Sequence, residues 1–269
     1  MSTPRRWRPG LDASSPCVEH AGTVRRAARD LTRLVLPVAC AGCGRWDVPL
    51  CAGCAAALDA VRRCEGDVPR LDRLDGTSLA VWTAAAYAGP VRGVVLAWKD
   101  GGRADLTGAL LVAVRRAAAA AAPDLLTAVG GRTLGVVAVP SAPGARRRRG
   151  ADLTALLAGA VVAELRAAGL DARAARLLAQ RRGGRDQVGL GARARRRNTT
   201  GRVRVVGGAR AAHGLHVLVD DVVTTGATLA ACEDALVLAG GLVLGAVVVA
   251  ATPSPNLTRA ALLPAPRAD

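Results

Sequence analysis

The stretch HVLVDDVVTTGATL, residues 216–229, decides how the rest of this chain is read. Its first four residues form the short apolar run expected of a buried parallel strand. That strand delivers Asp220 and Asp221 to its carboxyl end, and after Val222 and Val223 the loop Thr224-Thr225-Gly226-Ala227-Thr228 turns into a helix. Backbone N–H groups at a helix start, the hydroxyls of Thr224, Thr225 and Thr228, and the close approach that Gly226 permits together make an anion cradle. A phosphate monoester fits it. Two carboxylates beside the cradle would repel that phosphate, so they require hydroxyls or a cation to meet, and a ribose 5-phosphate supplies both halves. The plainer alternative is an N-capped helix after an acidic turn, with both acids merely solvated at the strand end.

Outward from this stretch, apolar runs read as strands at residues 80–87, 134–139, 172–178, 203–206, 216–219 and 242–251. Ala-rich helical runs lie between them at 91–99, 106–122, 152–168 and 227–239, with Pro123, Gly169 and Gly240-Gly241 as stop signals. The alternation predicts an α/β fold: stacked βα units on a mostly parallel sheet. Residues 235–252 are 18 positions without a charge, the lower limit for a membrane span. Gly240-Gly241 divides them into a helix end and a Val-rich strand, and on that reading no span exists.

The chain has 269 residues, 51% of them apolar and 22% charged, which excludes a wholly disordered chain. With no Phe, one Met and one Tyr, the core must be built from Val, Leu and Ala. The net charge of +16 rests on 37 basic and 21 acidic side chains, and Lys99 is the sole lysine. Arginine, alanine and glycine in such excess are what GC-rich coding produces, so the basicity is weak evidence for nucleic acid. Its distribution says more: residues 146–149 carry +4 and residues 172–210 carry +11, leaving the remainder nearly balanced. A local excess of that kind suits a polyanionic ligand. The Arg-rich start meets Asp12, Glu19 and Asp30 without an apolar signal region, so the expected compartment is the cytoplasm.

Residues 40–54 read CAGCGRWDVPLCAGC, the same Cys-Ala-Gly-Cys tetrapeptide twice with seven residues between. Each turn can present two thiolates to one point, so Cys40, Cys43, Cys51 and Cys54 can close a tetrahedral zinc site. Four protein ligands leave no open position, and the metal would fold the module rather than catalyse. The alternatives are two disulfides or a redox pair. Cys17 and His20 form a weaker candidate pair in the N-terminal arm, and Cys64 and Cys232 read as ordinary small residues.

With these motifs the chain resembles the type I phosphoribosyltransferase fold, and specifically the ComF family, in which a small cysteine module precedes such a domain. The resemblance spans residues 31–252. It also rests on Tyr87-x-Gly89 with Val91-Arg92, on Leu96-Ala97-Trp98-Lys99, on Val139-Pro140-Ser141, on Arg149-Gly150, and on Gln187-x-Gly189-Leu190 leading to Arg195 and Asn198. It implies that phosphoribosyl pyrophosphate (PRPP) with Mg²⁺ is held by three loops. Residues 220–228, with Val222, Val223 and Ala227 lining the turn, would take ribose hydroxyls and the 5-phosphate. Residues 139–150, including Pro140, Ser141 and Gly150, would take pyrophosphate, and residues 180–198 would close as a hood. Were the chain a catalyst, Asp220 and Asp221 would favour the cationic sugar while Arg149, Arg195 and Lys99 stabilised the leaving diphosphate. Lys99 also admits a plainer role, as a cation favouring the end of its helix. Two positions depart from the family pattern: Ala138 stands for the first proline of Pro-Val-Pro, and Ala151-Asp152-Leu153 for Phe-Asn-Gln after Arg149-Gly150.

The expected organisation is a mobile arm over residues 1–25, a helix with the zinc module and a linker over 26–75, a phosphoribosyltransferase-like domain over 76–255, and a tail over 256–269. The linker is expected at residues 62–75. Three functions fit: a phosphoribosyltransferase acting on a nitrogenous acceptor, an accessory of DNA uptake binding single-stranded DNA or a partner protein, and a PRPP or nucleotide sensor without turnover. The four Trp and one Tyr all lie outside the arginine-rich loops, which speaks against base stacking there.

Overall fold

The alternation of apolar strand and Ala-rich helix produces a mixed α/β fold on a six-stranded, mostly parallel sheet. The computed structural model describes residues 38–64, 71–72, 77–141, 152–180, 203–208 and 212–253. In chain order the elements are α1 (Ala52–Ala56), β1 (Arg62–Cys64), β2 (Val81–Ala86), α2 (Gly89–Lys99), a 3-10 turn (Ala104–Leu106), α3 (Thr107–Val129), β3 (Leu134–Ala138), α4 (Leu153–Ala167), β4 (Ala172–Ala174), β5 (Leu178–Gln180), β6 (Val203–Val205), β7 (Gly214–Val223), α5 (Ala227–Leu238) and β8 (Gly241–Ala251). The sheet runs β1-β2-β8-β7-β3-β4, antiparallel only where β1 meets β2, and β5 and β6 form a separate antiparallel ribbon.

Both faces of the sheet are covered, which is why its central strands read as continuous apolar runs rather than alternating ones. One face packs on α2, α3 and α4, the other on α5 and the ribbon. In α3 five of the nine buried residues are alanine: Ala113, Ala117, Ala118, Ala121 and Ala122 are almost wholly enclosed. Such short side chains bring the helix backbone close to the sheet, and so the fold closes without phenylalanine.

Connections around the centre run in opposite directions. From β3 the chain passes through α4 to β4 on one side, and from β7 it passes through α5 to β8 on the other. Because α4 and α5 lie on opposite faces, a crevice opens beyond the carboxyl ends of β3 and β7, the usual ligand position in such sheets.

Several elements differ from expectation. Pro123 does not end its helix: α3 continues to Val129 and stops at Gly130, which takes a left-handed conformation (φ 55°). Pro123 is exposed while Leu125 and Val129 are buried beyond it, so core burial carries the helix through. The strand expected at 172–178 divides into β4 and β5, since only Ala172 of β4 is buried and little holds the edge beyond it. The linker expected at 62–75 begins as the edge strand β1. There Cys64 is buried opposite Val81, and Arg63 reaches Asp124 at 2.6 Å and stacks 5.3 Å from the Trp82 ring centre. Residues 235–252 are indeed a helix end and a strand. Among the described residues no helix is long and apolar enough to cross a membrane. The expected arm, tail and first helix lie outside the described residues.

Candidate functional site

β7 is longer than its apolar core suggests, running through both acids to Val223, with Asp220 opposite Val248 and Val222 opposite Ala250. The acids therefore sit inside the last turn of a central strand, 8% and 3% exposed for Asp220 and Asp221. Neither is a solvated turn residue. The Asp221 N–H donates to Asp220 Oδ1 and the Val222 N–H to Asp221 Oδ1, both at 2.8 Å. Lys99, the last residue of α2, reaches across to Asp221 with Nζ 2.6 Å from Oδ2 and 2.9 Å from Oδ1. Its side chain is engaged with the acid rather than left at the helix end.

These groups border a cavity of about 430 Å³ beyond the carboxyl ends of the strands. Thr224, Thr228 and Val222 approach it from the loop into α5, Pro140 and Ser141 from the end of β3, and Tyr87 and Leu96 from the β2–α2 side. Two polar side chains fix its floor. The Thr154 hydroxyl donates to the Val139 carbonyl at 2.9 Å, and Gln180 Nε2 donates to the Pro140 carbonyl at 3.0 Å. Asp152 accepts from the Ala155 N–H as the N-cap of α4, which gives this acid a local structural role. Gly226 is the N-cap of α5 and holds φ at 73°, a conformation that favours glycine.

Of the residues expected to hold phosphate, Val222, Thr224, Thr228, Pro140 and Ser141 line the cavity. Val223 turns into the core facing α5, and Thr225, Gly226 and Ala227 form the turn without lining the cavity. Arg149, Gly150 and Arg195 lie outside the described residues. Gln180, the first residue of the expected hood, lines the cavity, and so do Tyr87, Leu96 and Thr154, which lie outside the three expected loops. Thr154 carried the one usable signal, a hydroxyl in the first turn of a helix that follows the Val139-Pro140-Ser141 loop.

Burial pushes the Asp220 carboxyl well above the usual carboxylate range, and the charge of Asp221 pushes it further. Burial opposes the charge on Lys99, but attraction and hydrogen bonding from Asp221 outweigh it and raise its pKa. The folded chain therefore holds the Asp220 proton to higher pH than the unfolded chain does. Stability is lost as pH rises from the ordinary 3.8 towards that raised value. Asp220→Asn keeps the acceptor for the Asp221 N–H and removes the buried charge. The variant should melt at nearly the wild-type temperature near pH 4 and a few degrees above it near pH 8, as read by thermal denaturation across pH. A variant that is less stable at every pH would contradict this account.

The second cluster is the four cysteines. Cys40, Cys51 and Cys54 are buried, and the four sulfurs lie within 4.8 Å of one another. Sulfurs on a tetrahedral zinc with bonds of about 2.3 Å stand about 3.8 Å apart, and Cys43 Sγ and Cys51 Sγ are 3.7 Å apart. Burial opposes ionisation of Cys40, but backbone hydrogen bonds from Cys51, Cys43 and Gly42 bring its pKa from 9.0 to about 6. Burial and the neighbouring thiols push Cys54 the other way. The donor set could hold a metal such as zinc, and the described cysteines are all free of disulfides.

Compared with known proteins, the chain matches no family model and no curated sequence.

Proposed function

We propose that this chain is a ComF-like protein of type I phosphoribosyltransferase fold that binds PRPP, or a nucleotide containing ribose 5-phosphate, in the crevice above β3 and β7. The observation that carries the reading is the conjunction of two buried acids and a threonine-rich loop on one cavity of about 430 Å³. Thr224 and Thr228 would receive the 5-phosphate, Asp220 and Asp221 the ribose hydroxyls or Mg²⁺, and Pro140 and Ser141 the far end of the diphosphate. The acids fit Mg²⁺ as hard oxygen donors. Lys99 would stabilise charge on a departing diphosphate once the ligand's hydroxyls compete for Asp221. A structural zinc on Cys40, Cys43, Cys51 and Cys54 completes the reading, which requires a reducing compartment such as the cytoplasm.

Calorimetric titration of PRPP with Mg²⁺ into the full chain tests it. Saturable binding is expected, lost in Asp220→Asn/Asp221→Asn, and pyrophosphate release with candidate bases then separates a transferase from a sensor. Absence of heat would overturn the reading and favour an accessory of DNA uptake that binds single-stranded DNA or a partner protein.

A further inference from the structure

The cysteine module and the cavity share one rigid element. Helix α2 begins against the first cysteine turn: a Cβ at Gly93 would lie 2.7 Å from the Ala41 carbonyl, so the module's backbone rests directly on the helix. A Cβ at Gly42 would in turn lie 2.7 Å from Cys54 Sγ and 3.1 Å from Pro90 Cβ, leaving that turn wedged between the cluster and the helix start. Six residues beyond Gly93, about 9 Å along the helix, the same element ends at Lys99 on Asp221.

A second link closes at the other end. Arg103 donates to the Ala39 carbonyl at 3.2 Å and the Pro49 carbonyl at 3.3 Å, one just before each cysteine turn, and Asp105 fixes its guanidinium from Nε and Nη2. Its own backbone N–H returns to Ala97 of α2 at 3.1 Å. The module thus grips α2 near both ends. Among the described residues the hydrophobic side chains packed against the three buried cysteines are Val48 and Leu50, so the arrangement of the sulfurs depends largely on what they hold.

We infer that the metal state of the four-cysteine cluster sets the position of Lys99 in the cavity, acting through α2 with Arg103 as a positioning residue. The inference rests on reading the cluster as a metal site and is independent of the ligand proposed for the cavity. With zinc bound, α2 is held and Lys99 stays on Asp221. With the sulfurs released, the turns at 40–43 and 51–54 relax, the seat beneath Gly93 and Pro90 is lost, and Lys99 leaves the acid. Reciprocally, whatever holds Lys99 and Asp221 in place tightens the metal.

Lys99 is the sole lysine of the chain, which makes its amine a single-site reporter. The full chain, loaded with zinc or stripped by a chelator, is treated briefly with an amine-acylating reagent, and modification of the Lys99 peptide is followed by mass spectrometry. Stripping should raise the acylation rate by a factor in the range of roughly 5–150 typical of coupled sites. Asp221→Asn sets the rate of an unpaired Lys99. Should the stripped chain unfold as a whole, zinc-loaded Arg103→Ala and Gly93→Ala decide instead: a raised rate with zinc still held supports the coupling, and the wild-type rate overturns it. Equal rates in loaded and stripped wild type, both folded, also overturn it. A chain that takes up no zinc overturns the metal reading and the inference together.

Discussion

On the proposed zinc reading of the four cysteines, Cys54→Ser or treatment with a chelator is expected to unfold the module around residues 40–58 while leaving the main sheet intact. Structural zinc contributes about 10–16 kcal/mol of apparent binding energy to domains that cannot fold without it, against which the module's own apolar anchors, Leu58 in the main core with Ala41, Leu50 and Ala57 beside it, are small. Its cluster comprises Cys40, Cys51 and Cys54, against which, among the described residues, the hydrophobic side chains Val48 and Leu50 pack. Cys54 is 3% exposed, and a serine there offers a shorter and harder donor to a site of thiolates. The measurement is hydrogen exchange. Amides of Cys40, Ala41, Gly44 and Ala55, which donate to Arg45, Pro49, Cys40 and Cys51 carbonyls, should lose protection. Those of β7 and β8 should keep theirs. Protection that persists in all four amides without metal would mean that the module folds on its own.

Lys99→Met should cost about 3 kcal/mol at neutral pH, the low end of what breaking a buried ion pair costs, because the lysine is partly exposed. Its side chain is 37% exposed and that of Asp221 is 5%. Methionine preserves the apolar stem, so the loss falls on the charge. Asp221 would then lie buried beside Asp220 without its counter-charge. The melting temperature should fall by roughly 6–12 °C at neutral pH for a chain of this size. Adding Asp221→Asn to Lys99→Met should restore most of the loss. A double variant as unstable as the sum of the two singles would show that the pair carries no coupling.

The centre of the fold was readable because its residues do two jobs at once. The run before Asp220 is apolar on both faces, and the Thr-Gly-Ala-Thr turn that follows has a composition few other structures require. The cysteine repeat was readable for the same reason: spacing alone brings the sulfurs together. What escaped was decided by distance in space. Nothing within Leu96-Ala97-Trp98-Lys99 says that the lysine meets an acid 122 positions later. Arg103 looks like any arginine in an arginine-rich chain, yet it clamps two carbonyls of the module. Pro123 broke a local rule because Leu125 and Val129 were buried beyond it, and β1 is only three residues long, too short to show a period. The acids were legible as site residues, but their burial within the ladder was not: the plainer alternative of a solvated strand end fails because the strand runs on past them to Val223.

The alanine face of α3 leaves this protein an unusual evolutionary latitude. Most interiors are damaged chiefly when a side chain is trimmed, since a void is left behind. Here Ala117, Ala118 and Ala121 have nothing to trim, and a single added methyl must push a whole helix from the sheet. Drift at those positions is bounded from above rather than from below, and lineages carrying this fold would diverge freely on the outer side of the helix while the alanine positions of its inner side stay confined to the smallest residues.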